Sequence, residues 1–360
     1  MTSVLLLVIL GLVILIFTQR YIEKNSQWSD KEYYVHLKTK VLNNDDGLPI
    51  IWIYVPHHYN ARHWLSFGSR SSYDTNEPYM NLSIKSIIKH CDKSFKICII
   101  DDDSFSKLIP NWNINLSSVG EPMADYIRQM AQFKLVYYYG GMIVPPSFLC
   151  LKNLTSLFKI GTANNNMFVV ENNDRNITSV EYNYYPDINF MGASQQKCRE
   201  LGALIEFIER RISADYTSQF EFLGEVNRWC NKRVQLNKIN LIPGNLIGIK
   251  TIDNSPILIE DLLGSNEIRF DNNMYGIYIP NHMLLQRTNY QWFIRSSQVQ
   301  ILEGNFILAR YFIESLGNIN IETFQSKPDW VSYWRVPLRA PVWGLKPKYL
   351  GNNVPKQRYP

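Results

Sequence analysis

The stretch Tyr137–Cys150 reads YYYGGMIVPPSFLC. An aromatic run ends at Gly140-Gly141, and glycine is the residue a helix C-terminal cap favours. Met142-Ile143-Val144 then has the apolar, β-branched character of a short buried strand. Pro145 and Pro146 end it, because proline fixes its own φ, lacks an N–H donor and pushes its predecessor into extended structure. Helix, glycine pair, strand and stiff loop in that order put Pro145 and Ser147 where a site is expected to open beyond a strand end.

Upstream, a helix is predicted from Pro122 to Tyr139, with Pro122 in its first turn and Gly140 as its cap. Leu48–Pro56, LPIIWIYVP, reads as a buried strand and the first of the core. Asn81–Cys91, NLSIKSIIKHC, sets Leu82, Ile84, Ile87 and Ile88 on one helix face, and Phe95–Asp103, FKICIIDDD, is a strand running into carboxylates. Strand, helix, strand predicts a βαβ unit in a parallel sheet, with ligands beyond the carboxyl ends of the strands, where Tyr54, Asp101 and Asp102 fall. Asp103-Ser104 is expected to cap a short helix, SFSKLI. Downstream, NFMGAS and CRELGALIEFIERRI form another strand-to-helix passage, and GNFILARYFIESL is a late helix. With no internal repeat and no clean linker, residues 47–330 read as one α/β domain.

Composition limits the function classes. A chain of 360 residues, 46% hydrophobic and 13% aromatic, can build a sizeable core and is not a disordered protein. A net charge of +5 from 37 basic and 32 acidic residues is too mild and too dispersed to argue for nucleic acid. Residues 331–360 form a proline-rich basic tail carrying Arg335, Arg339, Lys346, Lys348, Lys356 and Arg358, which could dock a partner. Five cysteines without a CxxC pair or metal-ligand spacing read as reduced, buried thiols. Sequons at Asn81, Asn115, Asn153 and Asn176 are expected by chance in an asparagine-rich chain.

Val4–Phe17, VLLLVILGLVILIF, with its flanks approaches the ~20 residues needed to cross a bilayer. No Lys or Arg precedes it and no small-x-small cleavage site follows, so residues 1–20 are read as an uncleaved, single-pass transmembrane anchor and residues 21–46 as a polar stalk. Arg20 and Lys24 bias the following domain toward the cytosol, but two charges leave the orientation open.

The ordered set IIWIYV, NLSIKSIIKH, KICIIDDDSFSKLIP, YYYGGMIVPPSFLC and INFMGAS, over residues 48–210, resembles the capsular polysaccharide synthesis proteins and the family 32 glycosyltransferases. The resemblance implies a GT-A-like, Rossmann-like mixed sheet flanked by helices, and transfer of a sugar from a nucleotide-sugar donor to a glycan or glycoprotein acceptor. The proline-bearing form is similar to relatives in large DNA viruses. Those families carry Ser-Asp-x-x-Arg on the helix before Gly-Gly, and then Asp, or Asp-x-Asp, on the following loop to hold Mg²⁺ or Mn²⁺. Gly140, Gly141 and the ending SFLC match; Pro145 and Ser147 stand where the two aspartates belong, and Gln129 and Gln132 where the helix Asp and Arg belong. One helical turn earlier, Asp125 and Arg128 repeat the Asp-x-x-Arg spacing on nearly the same face.

Two readings follow from the resemblance and its departures. One is a membrane-anchored glycosyltransferase without the usual metal, since proline and a lone hydroxyl are poor ligands for a hard cation. Its donor pocket would use Tyr54, Asp101, Asp102, Gly140, Gly141, Pro145 and Ser147, and its chemistry Asp125, Arg128 and Asp187, with Asn189 beside the acceptor. Arg128 could stabilise a diphosphate, or Asp125 and Arg128 could be only a surface ion pair. His57, His58 and His63 could add positive charge or be solvent-exposed bystanders. The other reading is a catalytically inactive GT-A scaffold that binds a sugar, a nucleotide or a protein.

Overall fold

In the computed structural model the described residues are 47–55, 77–120, 122–172, 185–214, 219–286 and 288–317. The anchor and stalk, His57, His58, His63, and the basic tail lie outside them. Among the described residues, no helix is long and apolar enough to cross a membrane.

The chain alternates strands and helices. Strand β1 (Ile50–Tyr54) leads to α1 (Pro78–Cys91), β2 (Lys96–Ile100), α2 (Asp102–Leu108) and α3 (Met123–Tyr139). Next come β3 (Gly141–Ile143), β4 (Phe148–Cys150), α4 (Thr155–Gly161), β5 (Met167–Asn172), β6 (Tyr185–Ala193), α5 (Arg199–Ile212) and α6 (Gln219–Gln235). The last elements are β7 (Ile239–Ile242), α7 (Ile259–Leu263), β8 (Gly276–Tyr278), α8 (Asn281–Gln286), α9 (Gln291–Arg295), α10 (Gln298–Leu302) and α11 (Ile307–Leu316).

Six strands form one sheet in the order β2-β1-β3-β6-β5-β7. The β2-β1-β3 and β5-β7 pairs are parallel, and β6 runs antiparallel to both of its neighbours. The fold is therefore α/β with a mixed sheet flanked by helices, and the expected β1-α1-β2 unit pairs in parallel. β4 and β8 form a separate antiparallel pair.

β1 shows why the sheet is covered on both sides. Its residues alternate, with Ile50 and Trp52 entering the cluster beneath α2, α3, α5 and α6, and Ile51 and Ile53 entering the cluster shared with α1, α4 and β4. A strand buried on both faces reads as a continuous apolar run, which is what IIWIY is. A third cluster packs α1 against α7 to α11, with Leu149 and Ile277 from the small sheet. Helix α1 is thus held between two clusters: Leu82 faces one, Ile84 and Ile87 the other, and Ile88, expected on the buried face, is 39% exposed.

Gly140 and Gly141 carry the turn from α3 into β3. Both have positive φ, +75° and +90°, and a Cβ on Gly141 would run into the Ile50 carbonyl oxygen of the neighbouring strand. Trp52 donates its indole N–H to the Gly140 carbonyl at 3.0 Å, which fixes the same turn from the sheet side. After β3, the Val144 amide still bonds to the Trp52 carbonyl at 3.0 Å. A tight turn then closes from the Phe148 amide to the Pro145 carbonyl at 3.0 Å, with Pro146 and Ser147 at its centre. The prolines thus end strand β3 and redirect the chain into β4.

Candidate functional site

The parallel strands β1 and β2 end side by side, with Tyr54 in register with Ile100. Asp101 and Asp102 follow at once, and they have different tasks. Asp101 is the N-cap of α2: its Oδ1 accepts the Ser104 amide at 2.9 Å and the Ser104 hydroxyl at 2.6 Å, while the Ser104 Oγ accepts the Asp101 amide at 3.0 Å. This corrects the expected cap at Asp103, which lies exposed in the first turn; the helix starts earlier because Ser104 completes the reciprocal bond with Asp101.

Asp102 faces the other way and gathers three elements. Its Oδ1 accepts the Tyr54 hydroxyl at 2.6 Å. Arg128 of α3 bonds it through Nε at 3.1 Å to both oxygens and through Nη2 at 3.1 Å to Oδ2. The remaining Nη1 donates to Asp125 Oδ1 at 2.9 Å. Arg128 and Asp102 are largely shielded, with 21% and 26% of their side chains exposed, whereas Asp125 is 59% exposed. Burial first, and the hydrogen bond to Asp102 second, push the Tyr54 hydroxyl far above its ordinary pKa, so it remains a donor. Its ring stacks on Phe105 at 5.6 Å, and Phe105 in turn meets Trp112 at 5.8 Å.

A second polar contact adjoins this one. Gln129 donates through Nε2 to Asn189 Oδ1 at 2.9 Å, and the Asn189 amide donates to Asp187 Oδ1 at 2.8 Å. The β5–β6 ladder jumps from Val169↔Met191 to Val170↔Asp187, so Ile188, Asn189 and Phe190 bulge out of it. Ile188 and Phe190 point to opposite cores, and Asn189 is left exposed to meet α3. Asp187 itself is buried, 4% exposed.

The other sequence candidates lie elsewhere. Gly140 and Gly141 sit beside Ile50, at the opposite end of β1 from Tyr54, where they make a turn. Continuing the β1–β3 register from Trp52↔Ile143 sets Pro145 level with Tyr54, but Pro145 is buried, and Ser147 is 3% exposed with its carbonyl bonded to the Ile279 amide. These residues do not fit the divalent ion that the resemblance implies: one loop position has no ligand atom and the other offers a single buried hydroxyl. Among the described residues no group of three or more His, Cys, Asp and Glu side chains could hold a metal ion.

Comparison with known proteins found no matching family model, curated protein or solved structure. The site therefore stands on its geometry. Two carboxylates and one guanidinium leave an excess of one negative charge, and Arg128 spends its fork on the chain's own aspartates. As it stands such a cluster offers acceptor oxygens to hydroxyl groups, and Arg128 can meet an anion only by giving up a carboxylate. Two features were missed from sequence: the Asn189 bulge and the buried Phe105, with Trp112 packed on it, that backs the Tyr54 ring. A bulge is a property of strand pairing and leaves no local signal, whereas the aromatic spacing in SFSKLIPNW was open to reading.

Proposed function

We propose that this chain is a GT-A-type, nucleotide-sugar-binding protein that transfers a sugar to a glycan or glycoprotein without a divalent metal. The observation that carries the reading is the convergence of Tyr54, Asp102 and Arg128, from β1, α2 and α3, at the carboxyl ends of parallel strands, the usual ligand position in open α/β sheets. In this reading Asp102, held by Tyr54 and Arg128, accepts ribose or sugar hydroxyls. Asp125 is the exposed carboxylate within reach of an acceptor hydroxyl, and Arg128 balances charge on the leaving diphosphate once Asp125 releases it. Asp187, buried and bonded to the Asn189 amide, supports the bulge. The membrane anchor at residues 1–20 remains part of the proposal.

One observation favours the second reading, a catalytically inactive scaffold of the same type. Arg128 is already engaged by two carboxylates, and the loop at Pro145–Ser147 supplies none. Titrating the full-length protein with a panel of nucleoside diphosphate sugars, with and without Mn²⁺, while following sugar release or transfer, separates the two. Metal-independent turnover supports the transferase, and binding without turnover supports the scaffold. No binding of any donor removes the transferase and the nucleotide-binding form of the scaffold.

A further inference from the structure

Beside the Tyr54–Asp102–Arg128 cluster, Gln129 and Asn189 meet side chain to side chain, with Gln129 Nε2 donating to Asn189 Oδ1 at 2.9 Å. Gln129 lies one turn beyond Asp125 on α3, so the two share a helix face, with Arg128 next to them. Asn189 comes from β6, two places from β1 in the sheet, which sets the strands roughly 10 Å apart. The contact is open to solvent: Asn189 is exposed and Gln129 half-buried. It is also held in place from behind. Asn189 stands on the bulge of β6, and the buried Asp187 carboxylate accepts its amide at 2.8 Å. Beyond their mutual bond, Gln129 Oε1 and Asn189 Nδ2 have no further hydrogen-bond partner among the described residues.

We infer that the Gln129–Asn189 pair is a subsite for the hydroxyls of the acceptor glycan, an assignment that rests on reading this end of the sheet as a sugar-transfer site. Two primary amides joined by one hydrogen bond leave a donor end and an acceptor end, whichever way each amide is turned. A hydroxyl donates and accepts through a single atom, so it can meet either end, and neighbouring hydroxyls of a sugar ring can meet both. A carboxylate brings no donor and an ammonium no acceptor, so an ionic ligand leaves one end unmet. One turn away, the exposed Asp125 adds carboxylate oxygens that only a donor can satisfy. The strip thus calls for several donors and an acceptor close together. Vicinal hydroxyls supply that, whereas a peptide backbone brings one donor for each acceptor. Because the bulge and Asp187 fix Asn189 from the backbone side, little ordering is left for the ligand to impose. The pair holds the acceptor, and Asp125 remains the group that meets its reacting hydroxyl.

The test is saturation-transfer NMR on the full-length protein without nucleotide, using methyl glycosides of glucose, galactose and mannose, their disaccharides, and a sugar-free Ser/Thr peptide as probes. The expected result is saturation of at least one glycoside and none of the peptide. Asn189→Asp and Gln129→Glu each keep one hydrogen bond between the two side chains but delete one of their two –NH2 groups. The glycoside signal should fall about fivefold or more in both variants, with the urea midpoint unchanged. A tie that serves only to join α3 to β6 would not respond in this way. Absence of any glycoside signal overturns the inference, as does saturation of the peptide instead, or a loss of stability in both variants that accounts for the lost signal. Titration of the unaltered protein with nucleoside diphosphate sugars reports on the transferase reading separately. Donor binding, with a glycoside signal that ignores both substitutions, overturns the subsite alone. A glycoside signal lost in both variants, with no donor bound, supports the subsite as a sugar-binding site and removes the transferase.

Discussion

Tyr54 donates its hydroxyl to Asp102 at 2.6 Å, joining the last residue of β1 to the first of α2. The same carboxylate takes the Arg128 fork, so three elements meet on one side chain. Arg128→Ala leaves Asp102 partly buried without its cation and should cost about 1–3 kcal/mol, whereas Asp125→Ala, at an exposed i,i+3 pair, should cost under about 0.5 kcal/mol. Tyr54→Phe should fall between them. Urea midpoints of the three variants check the order; equal losses at Asp125 and Arg128 would remove Asp102 from the centre of the cluster.

The glycine pair separates two kinds of constraint. Gly140→Ala meets only a positive φ, its new Cβ lying 3.6 Å from the Ser194 carbonyl oxygen, and should cost roughly 1–2 kcal/mol. Gly141→Ala adds a collision with the Ile50 backbone and should cost roughly 3–5 kcal/mol, parting β3 from β1. Thermal unfolding of the two single variants measures the gap; the reverse order would contradict the register of β3.

Restoring carboxylates at the loop should not restore a metal site. Ser147 is buried in the turn before β4, so Ser147→Asp places a charge without a partner and should destabilise by several kcal/mol, with or without Pro145→Asp. Mn²⁺ should leave the unfolding temperature of the double variant unchanged. A rise with Mn²⁺ would show a loop open enough to bind it.

Glu77 supplies a pH dependence away from the site. It is 3% exposed, and burial raises its carboxyl from 4.5 to about 7, opposed by a hydrogen bond from Asn281. The folded chain keeps this proton up to about pH 7 while the unfolded chain releases it near 4.5. Its contribution is thus fully present below pH 4.5 and lost as pH rises to about 7, a fall of at most roughly 3 kcal/mol. Glu77→Gln should flatten stability over that interval and be the more stable form at pH 8, as denaturation at several pH values would show.

Local sequence determined the elements whose signal is local. IIWIY is apolar throughout because both its faces are covered, MADYIRQMAQFKLVYYY has helical periodicity ended by glycine, and the Pro145-Pro146 pair stops a strand through its own geometry. The Asp125–Arg128 spacing was legible for the same reason, as neighbours on one helix face. Tertiary structure alone decided what those residues meet. Asp102 receives both Tyr54 and Arg128 because β1, β2 and α3 converge, whereas the Asp101–Ser104 cap, three residues apart, is a local pattern that was open to reading. The antiparallel course of β6, its bulge at Asn189 and the pairing of β4 with β8 depend on hydrogen bonds between residues distant in sequence, which no local pattern encodes.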